Sequence, residues 1–320
     1  MLMDNQYTTQ EIKTFTDFVN YDACLPNAPL PPKWIFRGQK CEGNYSSIDS
    51  ARIDLMPSLE RVARSFGLQL KEMPCIECWS LREFKRRLHQ YTADLPGEDD
   101  KLEWLALMQH HGAPTRLLDW TYSFFVAAYF AVQPSEHCDA EVWALNACYF
   151  GVDRVISKSK YEEITGSVEC VNNDPPERTK DRSILLQNGI VNHLWKNPEP
   201  CVCAVNPLRL NERLTIQQGV FLYPGDLTVS FEDNLSAGNY LPKSNLNLIR
   251  FRIDANLRKK ILEWLYRFNI TEATLFPGLD GFARSFATRL GFLPAIQAEL
   301  RCGSVSTPEQ LSLCCGRVTH

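Results

Sequence analysis

The stretch Leu107 to Val132, LMQHHGAPTRLLDWTYSFFVAAYFAV, decides the class of fold. It opens on the end of a helix that begins near Lys101 and stops at Gly112, a residue suited to the left-handed turn on which helices close. Ala113-Pro114 then breaks the helix and forces an extended chain through Thr115 to Leu118. After Thr121, the run Ser123 to Val132 has the length and alanine content of a helix and is apolar nearly all round, so it belongs in a core. Helix, strand and buried helix within 26 residues predict mixed architecture.

Toward the N-terminus, Leu25 to Lys33 is a proline-punctuated loop that delivers an apolar strand at Trp34, Ile35 and Phe36. Pro57 and Ser58 open a helix striped by Leu59, Val62, Ala63 and Phe66 that Gly67 ends. Ser80 and Glu83 have capping-box spacing ahead of a helix striped by Leu81, Phe84, Leu88 and Tyr91. Toward the C-terminus, strands are expected at Ala140 to Asn146, Val202 to Val205, Gly219 to Tyr223 and Leu248 to Ile253. Cys170 to Asp181 reads as a polar loop. Helices are expected at Asn256 to Phe268 and Gly281 to Leu290. The pattern predicts one α+β domain over residues 34–292, an N-terminal extension over 1–33 and a tail over 293–320.

The chain has 320 residues, 44% hydrophobic and 22% charged, enough to bury a sizeable core. A net charge of -4 gives no field that would draw it onto nucleic acid without sequence selection. The basic run Leu81 to His89 reads as a solvated helix face. The polar N-terminus carries acids where a signal peptide has basic and apolar residues, and no apolar stretch is long enough to cross a bilayer, so a soluble, cytoplasmic protein is expected. Twelve irregularly spaced cysteines fit reduced thiols. Cys75 and Cys78 make a single C-x-x-C where a four-thiolate metal site needs two, so no metal is assigned. The glycine-rich, zinc-helix and serine-elbow signatures of dinucleotide oxidoreductases, P-loop enzymes, zincins and α/β-hydrolases are missing.

The candidate chemistry lies in three segments. Arg37 follows three apolar strand residues and precedes Gly38, a position fit to grip a phosphate or carboxylate where a glycine lets the ligand approach the backbone. An internal pair with Asp119 is the competing use of that guanidinium. The second segment gathers Gln109, His110, His111, Thr115, Arg116, Asp119, Trp120, Thr121 and Ser123 into an apolar neighbourhood, a cluster that must be mutually bonded or face a cleft. At most one of the two histidines faces it. The third, Arg213 to Gly225, has Gln217 and Gln218 just ahead of a glycine and an apolar strand, which brings at least one of the two amides to a strand edge.

The order of Phe36-Arg37-Gly38, QHHGAPTRLLDWT, RLTIQQGVF and Thr274 to Gly281 (TLFPGLDG) resembles the FRG-domain family, known from bacteria and phage-linked loci, over about Trp34 to Phe286. A more distant resemblance is to ADP-ribosyltransferases of the arginine, serine, glutamate class. That likeness implies a split mixed sheet with N-terminal and flanking helices, and NAD as substrate for an ADP-ribosyltransferase or NAD glycohydrolase, serving as a toxin or anti-phage effector. It puts Arg37 on the pyrophosphate, Thr121 on Arg37 or the ribose, Trp120 or Phe221 on nicotinamide, and Gln218 where the family has glutamate. Asp119 or a histidine, His111 or His110, then supplies the missing acid or base. Gly38, Gln39, Thr115, Arg116 and Ser123 complete the nucleotide-binding set, and the acceptor is a protein or nucleic acid. Two other readings stand beside it: a recognition module without catalysis, and a metal-independent hydrolase or nuclease built on histidine and Asp119.

Overall fold

The computed structural model describes residues 7–26, 34–39, 55–133, 139–151, 187–208, 211–237 and 248–292. The loop at Cys170 to Asp181 and the tail over 293–320 lie outside the described residues.

One mixed sheet of seven strands organises them: β1 (Tyr7–Ile12), β2 (Trp34–Gln39), β3 (Leu118–Thr121), β4 (Ala140–Asn146), β5 (Val202–Val205), β6 (Gly219–Pro224) and β7 (Leu248–Ile253). Their order is β1-β7-β4-β2-β3-β6-β5. Every pairing is antiparallel except β1 with β7. The α+β class holds, and the sheet is continuous across all seven strands where two halves were expected. Residues 7–26, set apart in sequence as an extension, belong to the fold: β1 is an edge strand, and Phe18 on α1 (Phe15–Val19) is fully buried in the core.

Alternation along the strands sorts the side chains to two faces. On the back face Ile35, Leu118, Trp120, Trp143, Val220, Leu222 and Leu248 share one core. The front face is covered in two pieces. Over β1, β7, β4 and β2, the helix α5 (Phe124–Ala131) buries Phe124, Val126, Ala127 and Ala128 against Phe36, Val142, Ala144 and Phe251. As its all-round apolar sequence demands, α5 presents almost no surface to water. Over β6 and β5, a second layer packs on Phe221, Tyr223, Cys203 and Val205. It contains α3 (Met73–Leu88), α4 (Lys101–His110) and a helix, α6, described from residue 187 to 196.

The helix α3 begins at Met73, with proline in its first turn, so Ser80 sits mid-helix and caps nothing. At the end of α4, Gly112 takes φ +81°, the left-handed stop read from the sequence. Gly38 has a different task from the one expected. A Cβ there would lie 1.9 Å from the carbonyl oxygen of Ala127, so this glycine lets α5 lie against β2 and leaves no room for a ligand on the front face.

Candidate functional site

Strand β3 runs between the two front layers, and both of its front-facing residues are polar. Its front-facing positions are Asp119 and Thr121, in register with Phe221 and Gly219 of β6 and, for Thr121, with Phe36 of β2. Asp119 is exposed although its strand is interior to the sheet. A carboxylate in mid-sheet reaches water only where the covering layer parts, so the α4 and α5 layers flank a crevice floored by β3.

The last turn of α4 reaches into that crevice. Gln109 Nε2 donates to Asp119 Oδ2 at 2.7 Å, while Gln109 Oε1 accepts from Thr115 Oγ1 at 2.6 Å. Thr115 Oγ1 in turn accepts from the amide of Leu117 at 3.2 Å. The hydroxyl has one proton and gives it to the amide oxygen, so the Gln109 NH₂ group is aimed at the carboxylate. Thr115 is buried in this relay.

Of the two histidines, His110 is half-buried and His111 exposed at the helix end, their rings 4.8 Å apart. Burial, then the neighbouring charges of His111 and Arg213, hold His110 below the ordinary imidazole value. Arg213 comes from the short helix α7 (Glu212–Ile216), which Asn211 caps by accepting from the Leu214 amide at 2.8 Å. Its guanidinium lies 4.5 Å over the Phe276 ring, with Arg284 at 5.2 Å over the same ring. Among the described residues it has no hydrogen-bond partner. Burial lowers its pKa, Asp119 opposes that, and Arg284 adds to it.

Arg37 lies on the back face with Ile35, opposite Trp143 of β4, whereas Asp119 and Thr121 face the front. From the strand end its Nη1 donates to the main-chain oxygen of Asp119 at 2.7 Å. Its Nε is buried and has no hydrogen-bond partner among the described residues. Burial lowers its pKa, with Asp119 acting against the shift and Arg61 reinforcing it. The pair expected between Arg37 and the Asp119 carboxylate is therefore a bond to the carbonyl, with the carboxylate acting only at a distance.

Several expected residues are committed elsewhere. Thr121 Oγ1 donates to the Gln217 carbonyl at 2.6 Å and accepts from the Ser123 amide at 3.0 Å, so its one proton ties β3 to the turn before β6. Gln218 is exposed with φ +49°, and its carbonyl accepts from Tyr122 N at 2.9 Å. Arg116 is buried, bonded to Glu77, to the Tyr223 hydroxyl at 2.9 Å and to the Pro224 carbonyl at 3.3 Å. Trp195 and Tyr223 stack on it at 4.9 and 4.8 Å. It is turned away from the crevice and leaves no donor for a nucleotide. Trp120 and Phe221 are 3% exposed within the back and front cores, so neither offers a free ring face for nicotinamide. Gln39 accepts from Trp143 Nε1 at 2.7 Å, and Ser123 caps α5 through the Val126 amide.

The crevice thus holds Asp119 and His110 from the expected set, with Arg37 behind the strand end. Arg213 was missed as a site residue. It lies in the RLTIQQGVF segment, where the two glutamines drew the reading. Cys75 and Cys78 are exposed on α3, and no cluster of potential metal ligands occurs among the described residues. No helix among them is long and apolar enough to cross a membrane.

In a comparison with known families, residues 32–140 match the FRG domain family. The chain carries an FRG domain, and the matched segment supplies β2, α2 (Ser58–Ser65), α3, α4, β3 and α5, ending where β4 begins. Arg213 and Phe276 lie beyond it. A search of curated proteins and a search of solved structures gave no match.

Proposed function

We propose that the crevice over β3 binds an anionic nucleotide, with NAD as substrate, and cleaves the bond between nicotinamide and ribose. The observation that carries this reading is the exposed Asp119 carboxylate on an interior strand, held by Gln109, with the Arg213 guanidinium in electrostatic range and without a hydrogen-bond partner among the described residues. A half-buried arginine with no hydrogen-bond partner among the described residues has donors available for a phosphate. Asp119 lies where it can oppose positive charge on the ribose as the C1′–N bond breaks and the bonding electrons pass to the nicotinamide ring nitrogen. Water, or an acceptor on a protein or nucleic acid, then attacks C1′. Consumption of NAD by such a site is the basis for a toxin or anti-phage role.

The test is to incubate the purified protein with NAD and quantify nicotinamide. Release is expected, and Asp119→Asn should cut its rate by about 10²- to 10³-fold without lowering the melting temperature. Absence of both nicotinamide release and a thermal shift with NAD would contradict the proposal.

A second reading has its own support in Gln218, a neutral amide where the ADP-ribosyltransferases that the sequence distantly resembles place glutamate, and in the internal use of the Thr121 hydroxyl. Under it the crevice binds the nucleotide without turnover. NAD then raises the melting temperature while no nicotinamide appears.

A further inference from the structure

A second concave surface lies between α3 and the chain around the end of α4, and it is independent of the proposed activity. Residues Trp79, Phe84 and Tyr91, from α3 and the turn that follows, form one wall; Met108, Ala113 and Pro114 form the other. Between them is a groove of about 370 Å³. Spacings of four residues put Trp79, Glu83 and Arg87 on one stripe of α3, with Phe84 and Leu88 on the stripe beside it. Trp79 is 59% exposed and Tyr91 83% exposed, so two large aromatic surfaces stand in water at the mouth. Aromatic side chains are enriched at contact surfaces, and an apolar trough rimmed by polar residues is a mark of one.

The charge around the groove specifies its partner. Arg82, Arg86 and Arg87 approach one carboxylate, Glu83, at 3.6, 2.9 and 3.3 Å. Three guanidiniums share one negative charge, and each arginine side chain is at least 65% exposed. Arg87 lines the groove and Arg82 and Arg86 flank it on the same helix, so its neighbourhood is positive on a chain whose net charge is -4. Glu83 lines the groove itself, where it would oppose a phosphate track, so the positive neighbourhood suits scattered carboxylates better than a nucleic-acid backbone. From Trp79 to Tyr91 the wall rises about 18 Å at helical spacing. That is the reach of about five or six residues of extended chain.

We propose that this groove docks an extended acidic peptide segment of a partner protein. Alternate apolar side chains of the segment seat between Trp79, Phe84 and Pro114, and its carboxylates meet Arg82, Arg86 and Arg87.

The test uses fluorescence polarisation with a labelled dodecapeptide alternating leucine and glutamate, and a counterpart with lysine in place of glutamate. The glutamate peptide should bind saturably and more weakly as salt rises, and the lysine peptide should not bind. Trp79→Ala, and separately the double variant Arg86→Glu with Arg87→Glu, should weaken binding at least tenfold with unchanged melting temperature. Equal binding of the two peptides, or binding indifferent to both variants, would overturn the proposal. A labelled single-stranded oligonucleotide bound more tightly than the peptide would do the same, as would a concentration-dependent dimer that Trp79→Ala abolishes.

Discussion

Arg116 is buried and Arg213 half-buried within one fold, and their surroundings differ in kind. Arg116 is saturated: Glu77, the Tyr223 hydroxyl and the Pro224 carbonyl take its donors while two aromatic rings cover its faces. Burial alone pushes its pKa down, but the Glu77 charge outweighs that and holds the guanidinium above its ordinary range. Arg213 has a ring beneath it and a carboxylate in range, yet no hydrogen-bond partner among the described residues. Burial of a cation is tolerable when its hydrogen bonds are met. A half-buried arginine that keeps its donors open is poised for something that arrives. The first arginine locks α3 to β6, and the second waits beside Asp119.

Breaking Arg116 should have the largest effect. Glu77→Ala leaves a buried guanidinium without its counter-charge and should cost roughly 3–5 kcal/mol of stability, measured by urea denaturation. Next comes Gly38→Ala, which drives a methyl group into the backbone of α5 and should cost about 1–3 kcal/mol. If Gly38 instead served ligand approach, its substitution would leave the denaturation midpoint unchanged. Arg213→Ala sharpens the contrast with Arg116. Its stability should change by no more than about 0.5 kcal/mol, while affinity for NAD falls at least tenfold, about 1.4 kcal/mol.

The smallest effect expected is a pH dependence through His110. Its pKa in the folded protein lies below the ordinary value of about 6.5 because of burial and the charges of His111 and Arg213. The unfolded chain therefore binds the proton more readily, and the stability this group contributes is present above about pH 6.5 and lost as pH falls below it. An anionic ligand beside His110 raises that pKa, so binding takes up a proton and tightens as pH drops through the same window. The slope of affinity with pH should disappear in His110→Gln.

Much of the fold was legible because its signals are local. The strands at Ala140–Asn146, Val202–Val205 and Leu248–Ile253 alternate or run apolar, and the structure keeps those bounds. β1 was not legible: YTTQEI is polar, and its place depends on main-chain pairing with β7, more than 230 residues away in sequence. α3 was read too short because the Ser80 and Glu83 spacing imitates a cap, while Glu83 in fact gathers arginines on the helix surface. In the site, Asp119 could be singled out as a polar residue in an apolar run. The sequence could not reveal that Arg116, three residues earlier, is consumed by Glu77, nor that Arg213 meets Phe276, because both depend on long-range packing. Strand alternation also divides Arg37 from Thr121, which a motif read in linear order places together.

The most direct test of the crevice is to follow the imidazole resonances of His110 and His89 by NMR during titration with NAD. The crevice account expects the His110 signal to move saturably and its titration midpoint to rise, with His89, on the far helix, unaffected. A His110 signal that stays fixed at saturating NAD, or moves no more than that of His89, would contradict it.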